Sequence, residues 1–219
     1  MRLGVLGGSF NPVHNGHLRL ALEVQECLGL QRVELVPAPR PPHKSGRALM
    51  PFELRCQLLQ LAVEPCPGLE INLLEAKRPG ASYTYYTLQD YSREYSSREL
   101  CFILGSNDLL TLPKWYKWSC LPQLASFAVV GRQGLERDQV IEFIDRYFPE
   151  AVQDKGQDGA WELSSQSRLV YVQIPRLDIS STLLRQKMTQ GLSLAYLVPD
   201  KVRAKLSKLD PEQILVSQE

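Results

Sequence analysis

The sequence predicts an α/β fold, a doubly wound, Rossmann-like parallel sheet with helices on both faces. Apolar strand patterns alternate with helical patterns along the chain, and this alternation is typical of a parallel sheet covered on both sides. Turns rich in glycine or serine follow several of the strands, where open α/β sheets place their ligands. The 219 residues suit one domain, which we assign to residues 1–210, with a short C-terminal helical extension and a tail at residues 211–219.

Composition narrows the classes of function. A net charge of +1 argues against broad nucleic-acid binding, which normally shows as a basic excess. We find no apolar run near the ~20 residues that span a bilayer and no signal peptide, so we expect no membrane association and a cytoplasmic location. The five cysteines include no C-x-x-C pair, and we interpret them as buried thiols in a reducing compartment. Assembly into a homo-oligomer is left open.

The first strand leads into a glycine-rich turn. Leu3–Leu6 is a short apolar run suited to a buried strand. A helical pattern begins near residue 15 and is expected to end at Gly29. Glycines allow close backbone approach to an anion, and a helix N-terminus offers unpaired N–H groups. The sequence therefore predicts a phosphate site after this strand, and its candidate residues are Gly7, Gly8, Ser9 and Phe10.

Two histidines stand where this helix begins. His14 and His17 are three residues apart, so both imidazoles can face the mouth of the turn, and Gly16 avoids crowding between them. Imidazoles beside phosphate can donate hydrogen bonds to oxygens that gain charge during nucleotidyl transfer. The alternative interpretation is a metal site or a structural histidine pair.

The stretch from Gly7 to His17, GGSFNPVHNGH, resembles the signature of the nucleotidyltransferases that carry an H-x-G-H motif. Among these it most resembles bacterial nicotinate-nucleotide adenylyltransferase. The resemblance implies transfer of the adenylyl group of ATP to nicotinate mononucleotide, which gives deamido-NAD and pyrophosphate in NAD biosynthesis. It implies ATP and nicotinate mononucleotide as the bound partners, His14 and His17 as catalytic residues, and Mg²⁺ accompanying ATP. No residue is assigned as a protein ligand of a metal.

A proline-rich loop, Pro37–Lys44, leaves the second predicted strand. On spacing alone it is a stiff, solvated connection. Pro-Pro-His-Lys also resembles the corresponding loop of the family, and this resemblance implies that Lys44, with His43, meets substrate phosphates.

Ser82 precedes a helical pattern and is expected to cap it, which would place the following N–H groups at a helix start. By itself, the segment favours a capped helix with packed tyrosines. In the family, Ser-Tyr-Thr lies against the mononucleotide, and the match implies substrate contacts for Ser82, Tyr83 and Thr84.

The strand Leu100–Leu104 ends at Gly105, which again permits close approach by a ligand and is assigned to the ATP site. The family has Gly-x-Asp there and Pro-x-Trp downstream, and it stacks the tryptophan on the nicotinate ring. The resemblance gives that role to Trp115, which would otherwise be a core residue. Asn107 occupies the aspartate position, so either Asn107 substitutes as a neutral group or Asp108 takes over.

Three later segments complete the prediction. A strand at Ser126–Val130 leads to Arg132, where the family often has a basic residue that contacts substrate. Residues 139–148 are predicted to form an exposed helix. Residues 150–168 are interpreted as a surface excursion before the last strand, Leu169–Ile174.

The second strong motif follows that last strand. Ser180 or Ser181 can cap a helix whose first N–H groups face an anion, and Arg185 lies one turn further on. A capped helix with a solvated arginine explains the pattern equally well. Ile-Ser-Ser-Thr-x-x-Arg closes the family signature, which implies catalysis for Arg185 and ATP contacts for a group of four residues: Ile179, Ser180, Ser181 and Thr182.

Three alternative functions remain open. Adenylyltransferases for nicotinamide mononucleotide or pantetheine phosphate share the same chemistry. A non-catalytic nucleotide-binding protein is the second alternative, and Asn107 at the aspartate position is its best support. A structural or interaction protein, which would not bind ATP, is the third.

Overall fold

The computed structural model describes residues 2–42, 49–131, 134–164, 167–175 and 177–209, with the backbone alone at residues 134–136 and 164. The strands in these ranges are β1 (Leu3–Gly8), β2 (Arg32–Pro37), β3 (Leu69–Ile71), β4 (Leu100–Gly105), β5 (Ser126–Gly131), β6 (Val152–Gln153), β7 (Ala160–Ser164) and β8 (Ser167–Gln173). They form one sheet in the order β3-β2-β1-β4-β5-β8-β7-β6.

The α-helices in the same ranges are α1 (Asn15–Leu28), α2 (Phe52–Val63), α3 (Thr84–Tyr91), α4 (Ser106–Thr111), α5 (Leu121–Leu124), α6 (Gly134–Tyr147), α7 (Ser181–Thr189) and α8 (Asp200–Leu206). Short 3₁₀ helices cover Leu74–Lys77, Leu112–Lys114 and Trp118–Cys120. As predicted, α1 is followed by Gly29, with φ of 58°.

The sheet is mostly parallel, as the alternating pattern predicts. Strands β1 and β4, β4 and β5, and β5 and β8 run parallel, whereas β7 is antiparallel to both β8 and β6. The segment interpreted as a surface excursion therefore contains two strands, β6 and β7. Strand β6 has only two residues, both exposed, whereas β7 begins with the buried residues Ala160 and Trp161.

The chain divides into two compact units, each built from distant segments of sequence. The first contains Met1–Leu6, Leu22–Val33 and Tyr83–Arg176, and β4, β5 and β8 form its apolar centre. The second contains Gly7–Ala21, Glu34–Ser82 and Leu177–Glu219. The assignment of residues 1–210 to one domain stays a prediction, and the tail lies outside the described residues.

Helix α2 buries Arg55, Leu58, Leu59, Ala62 and Val63, whereas Leu54 and Leu61 are only partly buried. Helix α6 differs from its predicted form, because it begins five residues earlier than expected, at Gly134. Among the described helices, none is long and apolar enough to cross a lipid bilayer.

The expectation of uniformly buried thiols is wrong. Cys101 is buried, but Cys27 is exposed and Cys56, Cys66 and Cys120 are partly exposed. An apolar neighbourhood in the sequence does not reveal this, because a helix such as α1 has one buried face and one face in water.

We expect the folded protein to show one thiol that stays unreactive until unfolding. Burial raises the pKa of Cys101 to about 12, so the reactive thiolate is scarce at neutral pH. Titration with an aromatic disulfide reagent should give a fast phase, which Cys27→Ser abolishes, and a last thiol that appears only in denaturant. Rapid reaction of Cys101 in the folded protein would contradict the described burial.

Candidate active site

The turn after β1 lies in the second unit and is supported from beneath by an aromatic ring. Phe10 is buried and has φ of 42°, in the left-handed region. Its ring lies so close that a Cβ atom at Gly8 would be 3.2 Å from it. Gly7 itself is exposed. The predicted order of strand, turn and helix is present, but Gly7 and Gly8 are the last two residues of β1, which is longer than the predicted Leu3–Leu6. We call residues 7–12 the glycine turn.

The two histidines of the motif lie against each other, as their spacing predicts. The imidazole centroids of His14 and His17 are 3.6 Å apart and the rings are nearly parallel, at 23°. The Phe10 ring meets His17 edge-on, with centroids 5.0 Å apart. His14 is buried and His17 is partly exposed at the start of α1. The three rings hold His17 in one orientation.

The backbone also fixes the tautomer of His17. The N–H of His14 donates a hydrogen bond to Nδ1 of His17, over 3.2 Å, and the N–H of His17 donates to the carbonyl oxygen of His14, over 2.9 Å. Because Nδ1 accepts, a neutral His17 carries its proton on Nε2. His17 is thereby set as an N–H donor through Nε2, which suits a group that stabilises negative charge.

Gly16 leaves no room for a side chain. A Cβ atom there would be 3.0 Å from Nδ1 of His14 and 3.5 Å from the carbonyl oxygen of Ile179. The small residue of the motif is therefore a packing requirement of the histidine pair.

We expect Gly16→Ala to lower kcat/KM by about 10²-fold, since small displacements of positioned groups have effects of this size. The methyl group must move the His14 imidazole, while a helical alanine is itself favourable. Steady-state kinetics and thermal unfolding measure the two effects separately. Gly156→Ala, where a Cβ atom meets only Oδ1 of Asp154 at 3.4 Å, is the matched control. Wild-type kinetics in Gly16→Ala would contradict the requirement.

Ser180 caps α7, and Ser181 links the helix to the turn by a hydrogen bond. Ser180 is the N-cap, and its Oγ accepts a hydrogen bond from the N–H of Leu183, over 3.1 Å. Ser181 begins the helix, and its Oγ donates to the carbonyl oxygen of Pro12, over 2.9 Å. Motifs from opposite ends of the sequence thus meet within the second unit, as predicted.

Arg185 reaches the same turn from one helical turn further along α7. Its Nη1 donates to the carbonyl oxygen of Asn11, over 2.8 Å, and its Nη2 donates to Oγ1 of Thr182, over 3.3 Å. A guanidinium has five N–H donors in a planar fork. Arg185 can therefore bind the turn and phosphate oxygens from one position.

The prediction that Ser82 caps α3 is wrong. The N-cap of α3 is Tyr83, and no side chain caps it. Ser82 instead pairs with Arg40: its Oγ accepts from the N–H of Arg40, over 3.2 Å, and its N–H donates to the Arg40 carbonyl oxygen, over 2.9 Å. This long-range pairing determines its position. Lys44 and His43 lie outside the described residues.

The remaining candidates belong to the first unit. Gly105 ends β4 and caps α4, whose first turn contains Asn107 and Asp108, both exposed. Oδ2 of Asp108 lies 3.5 Å from the position of a Cβ atom on Gly105. The Asp108 carboxylate therefore lies near the strand end, and the choice between Asn107 and Asp108 stays a prediction. Arg132 lies outside the described residues.

Trp115 is held in place on its polar edge. Its Nε1–H donates to Oγ1 of Thr111, over 3.3 Å, and its ring meets Phe102 edge-on at 6.3 Å between centroids. The side chain is partly exposed, so it is not an enclosed core residue. A fixed indole with an accessible face can stack on an aromatic ring.

Tyr83 and Tyr86 pack together, as the segment by itself favours, and Tyr116 joins them from outside it. The rings of Tyr83 and Tyr116 are 4.7 Å apart between centroids, and the hydroxyls of Tyr86 and Tyr116 are 3.2 Å apart. The hydrogen bond with Tyr86 lowers the pKa of Tyr116, and Lys117 adds to the effect. The run Tyr-Thr-Tyr-Tyr hints at such packing, but Tyr116 joins it only through the fold.

Sequence reasoning also missed Arg55, a fully buried side chain in α2. Its signal was present, because Arg55 shares a helical face with Leu59 and Ala62, which are buried.

As for metals, we find no group of three or more His, Cys, Asp or Glu side chains arranged to hold an ion in the part of the chain that the structure describes.

Comparisons with known proteins show which chains this one is similar to. A family model described as cytidylyltransferase-like matches residues 5–187. Proteins named probable nicotinate-nucleotide adenylyltransferase are similar: that of Geotalea daltonii is 39% identical over 92% of this chain and 94% of its own length. That of Maridesulfovibrio salexigens is 37% identical over 92% and 93%. The structure of Plasmodium falciparum nicotinic acid mononucleotide adenylyltransferase complexed with NaAD shares the fold, with a TM-score of 0.68, 16% identity and coverage of 94% and 95%.

Proposed function

The chain belongs to the cytidylyltransferase-like family, and from that membership we infer that it is a nicotinate-nucleotide adenylyltransferase of NAD biosynthesis. It transfers the adenylyl group of ATP to nicotinate mononucleotide and releases deamido-NAD and pyrophosphate. The observation that carries this inference is the stacked pair of His14 and His17 at the glycine turn, with Arg185 fastened to the same turn. Relatives that cover nearly the whole chain at 37–39% identity bear the corresponding name.

The turn supplies phosphate-binding donors because its carbonyl oxygens are already bound. The carbonyl oxygen of Gly8 accepts from the N–H of Ala38, over 2.9 Å, and those of Asn11 and Pro12 accept from Arg185 and Ser181. In a trans peptide the N–H points opposite to the C=O. The N–H groups of Ser9 and Val13, which follow the Gly8 and Pro12 carbonyls, point away from these donors, and we propose that they face the triphosphate of ATP together with the start of α7. The Asn11 carbonyl is followed by Pro12, which has no N–H.

The transfer needs no protein nucleophile, since the acceptor phosphate is already ionised. An oxygen of that phosphate forms a bond to the α-phosphorus of ATP as the bond to the bridging oxygen breaks, and pyrophosphate carries away the electron pair. Nε2–H of His17 donates to a phosphate oxygen as its charge grows, and Arg185 holds the phosphates in line. Catalysis is then positioning and charge stabilisation.

Mg²⁺ is proposed as the ion that accompanies ATP. The donors around the turn are N–H groups and imidazoles, which do not bind Mg²⁺, so the phosphates of ATP would hold it. Magnesium is commonly bound through substrate phosphates. When bound, it neutralises part of the triphosphate charge.

On the acceptor side, we propose that Trp115 stacks on the nicotinate ring and that Tyr83, Thr84 and Asp108 bind the mononucleotide. Trp115→Ala is expected to raise KM for nicotinate mononucleotide about tenfold, consistent with loss of one aromatic stack, and to leave KM for ATP nearly unchanged. Steady-state kinetics with each substrate varied in turn measures this split. Trp115→Phe retains an aromatic ring, so its KM for nicotinate mononucleotide should lie between those of the wild type and Trp115→Ala. Unchanged constants in Trp115→Ala would contradict the stacking.

The experiment that tests the function is pyrophosphate release with Mg-ATP and, in parallel, nicotinate mononucleotide, nicotinamide mononucleotide and phosphopantetheine. We expect release chiefly with the nicotinate compound. Release of pyrophosphate chiefly with another acceptor would overturn the assignment of the substrate. Binding of ATP without pyrophosphate release with any acceptor would favour the non-catalytic alternative that Asn107 suggests.

The described cysteines are all unpaired thiols, which supports a reducing, cytoplasmic location. Assembly into a homo-oligomer stays a prediction.

A further inference from the structure

Arg55 is a fully buried arginine that lies behind the glycine turn in the second unit. It is 0% exposed, so it cannot reach a ligand directly. Its guanidinium lies over the ring of Phe52, with 5.2 Å from Cζ to the ring centroid. Buried arginines are rare unless their charge is paired. A specific role must therefore offset the cost of removing this cation from water.

The partners of Arg55 are backbone carbonyl oxygens from three separate segments. Nη1 donates to Ser9 in the turn, over 2.7 Å, and to Ala38 after β2, over 2.8 Å. Nε donates to Met50 before α2, over 3.1 Å, and Nη2 lies 3.4 Å from the carbonyl oxygen of Pro39. One planar fork thus joins both ends of the loop between β2 and α2 to the glycine turn.

A second link reinforces the first. Met50, whose carbonyl oxygen binds Arg55, donates its N–H to Oδ1 of Asn11, over 2.9 Å. Arg55 therefore holds Ser9 directly and Asn11 through Met50. On the other side of the turn, Arg185 holds the carbonyl oxygen of Asn11. The two arginines bind the same turn, one from α2 and one from α7.

The charge of Arg55 is not neutralised by its neighbours. Its hydrogen-bond partners are neutral carbonyl oxygens, and none of the described carboxylates forms an ion pair with it. Burial lowers the pKa of Arg55, and Cys56 and Glu53 oppose that shift. Arginine nevertheless stays protonated at neutral pH. A buried cation in this place favours anions in front of the turn.

We propose that Arg55 is a positioning residue of the phosphate-binding turn. This inference rests on the proposed function. Arg55 fixes the Ser9 carbonyl oxygen inward, and the trans peptide then directs the N–H of Phe10 to the opposite side, toward the triphosphate. It acts on ATP only through the turn. A lysine cannot replace it, because one ammonium group cannot match a planar fork that reaches four carbonyls.

The test compares Arg55→Lys with Phe52→Leu, a milder variant that removes the ring under the guanidinium, and with Arg203→Gln, a control on the exposed face of α8. Hydrogen exchange is measured for peptides covering residues 7–12 and 36–41, and for β4 and β5 as internal references. Kinetics with ATP and with the acceptor are measured in parallel.

In Arg55→Lys we expect the hydrogen-exchange rate in the turn to rise about tenfold or more, while the rates in β4 and β5 stay unchanged. This pattern would report a local opening of the turn rather than global unfolding. We expect kcat/KM for ATP to fall about 10²-fold with KM for the acceptor within about twofold of wild type. Phe52→Leu should change both in the same direction but less, so the proposal remains testable if Arg55→Lys fails to fold.

Two outcomes would overturn the proposal. One is unchanged exchange in the turn in both variants, and the other is an equal loss for both substrates that follows the unfolded fraction. A wild-type protein that releases no pyrophosphate would refute the proposed function instead, and the exchange measurement would still decide whether Arg55 holds the turn.

Discussion

His17→Ala is expected to lower kcat by about 10²–10³-fold, the usual cost of losing one donor to a charge that develops in the transition state. The reason is geometric. Stacking on His14 and the edge of Phe10 hold the imidazole, and Nδ1 accepts from the backbone, so Nε2 is a donor with a fixed direction. We propose that ground-state ATP is bound chiefly by N–H groups of the turn, so its Kd should change little.

Steady-state kcat and calorimetric Kd for ATP measure the two quantities independently. Gln25→Ala, in the same helix and remote from the motif, is the matched control and should behave as wild type. Equal losses in turnover and in ATP affinity would count against a role in the transition state, because such a pattern reports uniform binding.

Arg185→Ala should lower kcat/KM for ATP by about 10²–10³-fold, equivalent to about 3–4 kcal/mol of transition-state stabilisation. Two losses combine in this variant. In the proposed complex, the triphosphate loses a bidentate hydrogen-bond donor. The Asn11 carbonyl oxygen loses its hydrogen bond of 2.8 Å from Arg185.

Arg185→Lys is expected to recover only a small part of the loss, because a lysine places a single charge and cannot serve the turn and a phosphate in one planar geometry. Lys187→Ala, two residues further along α7 and on another face, is the control for loss of a cation from this helix. Full activity in Arg185→Lys would show that a positive charge alone suffices. It would contradict the proposal that Arg185 binds the turn and a phosphate at the same time.

The features that could be predicted from sequence are those set by local chemistry. The glycine turn, the spacing of His14 and His17, and the serine cap of α7 depend on residues within a few positions of one another. Their geometry follows from helix periodicity and capping. The fold places the two motifs in one unit, as expected for turns that follow parallel strands.

The features that could not be predicted depend on partners distant in sequence. Ser82 is a good cap by composition, but its hydrogen bonds go to Arg40. The helical pattern places Arg55 on the buried face of α2, but only the four carbonyl oxygens that it binds in space explain why a charged residue lies there. Tyr116 joins Tyr83 and Tyr86 through the fold alone. For Ser82, helix capping and long-range pairing compete, and tertiary structure decides between them.

The central claim is direct transfer of the adenylyl group to nicotinate mononucleotide. The measurement that tests it most directly uses ATP labelled at the α-phosphorus, with products separated after incubation with the acceptor. The account predicts that the label appears in deamido-NAD, one equivalent for each pyrophosphate released, and that His17→Ala slows its appearance. Label that appears in AMP without the dinucleotide, or that remains bound covalently to the protein, would contradict it.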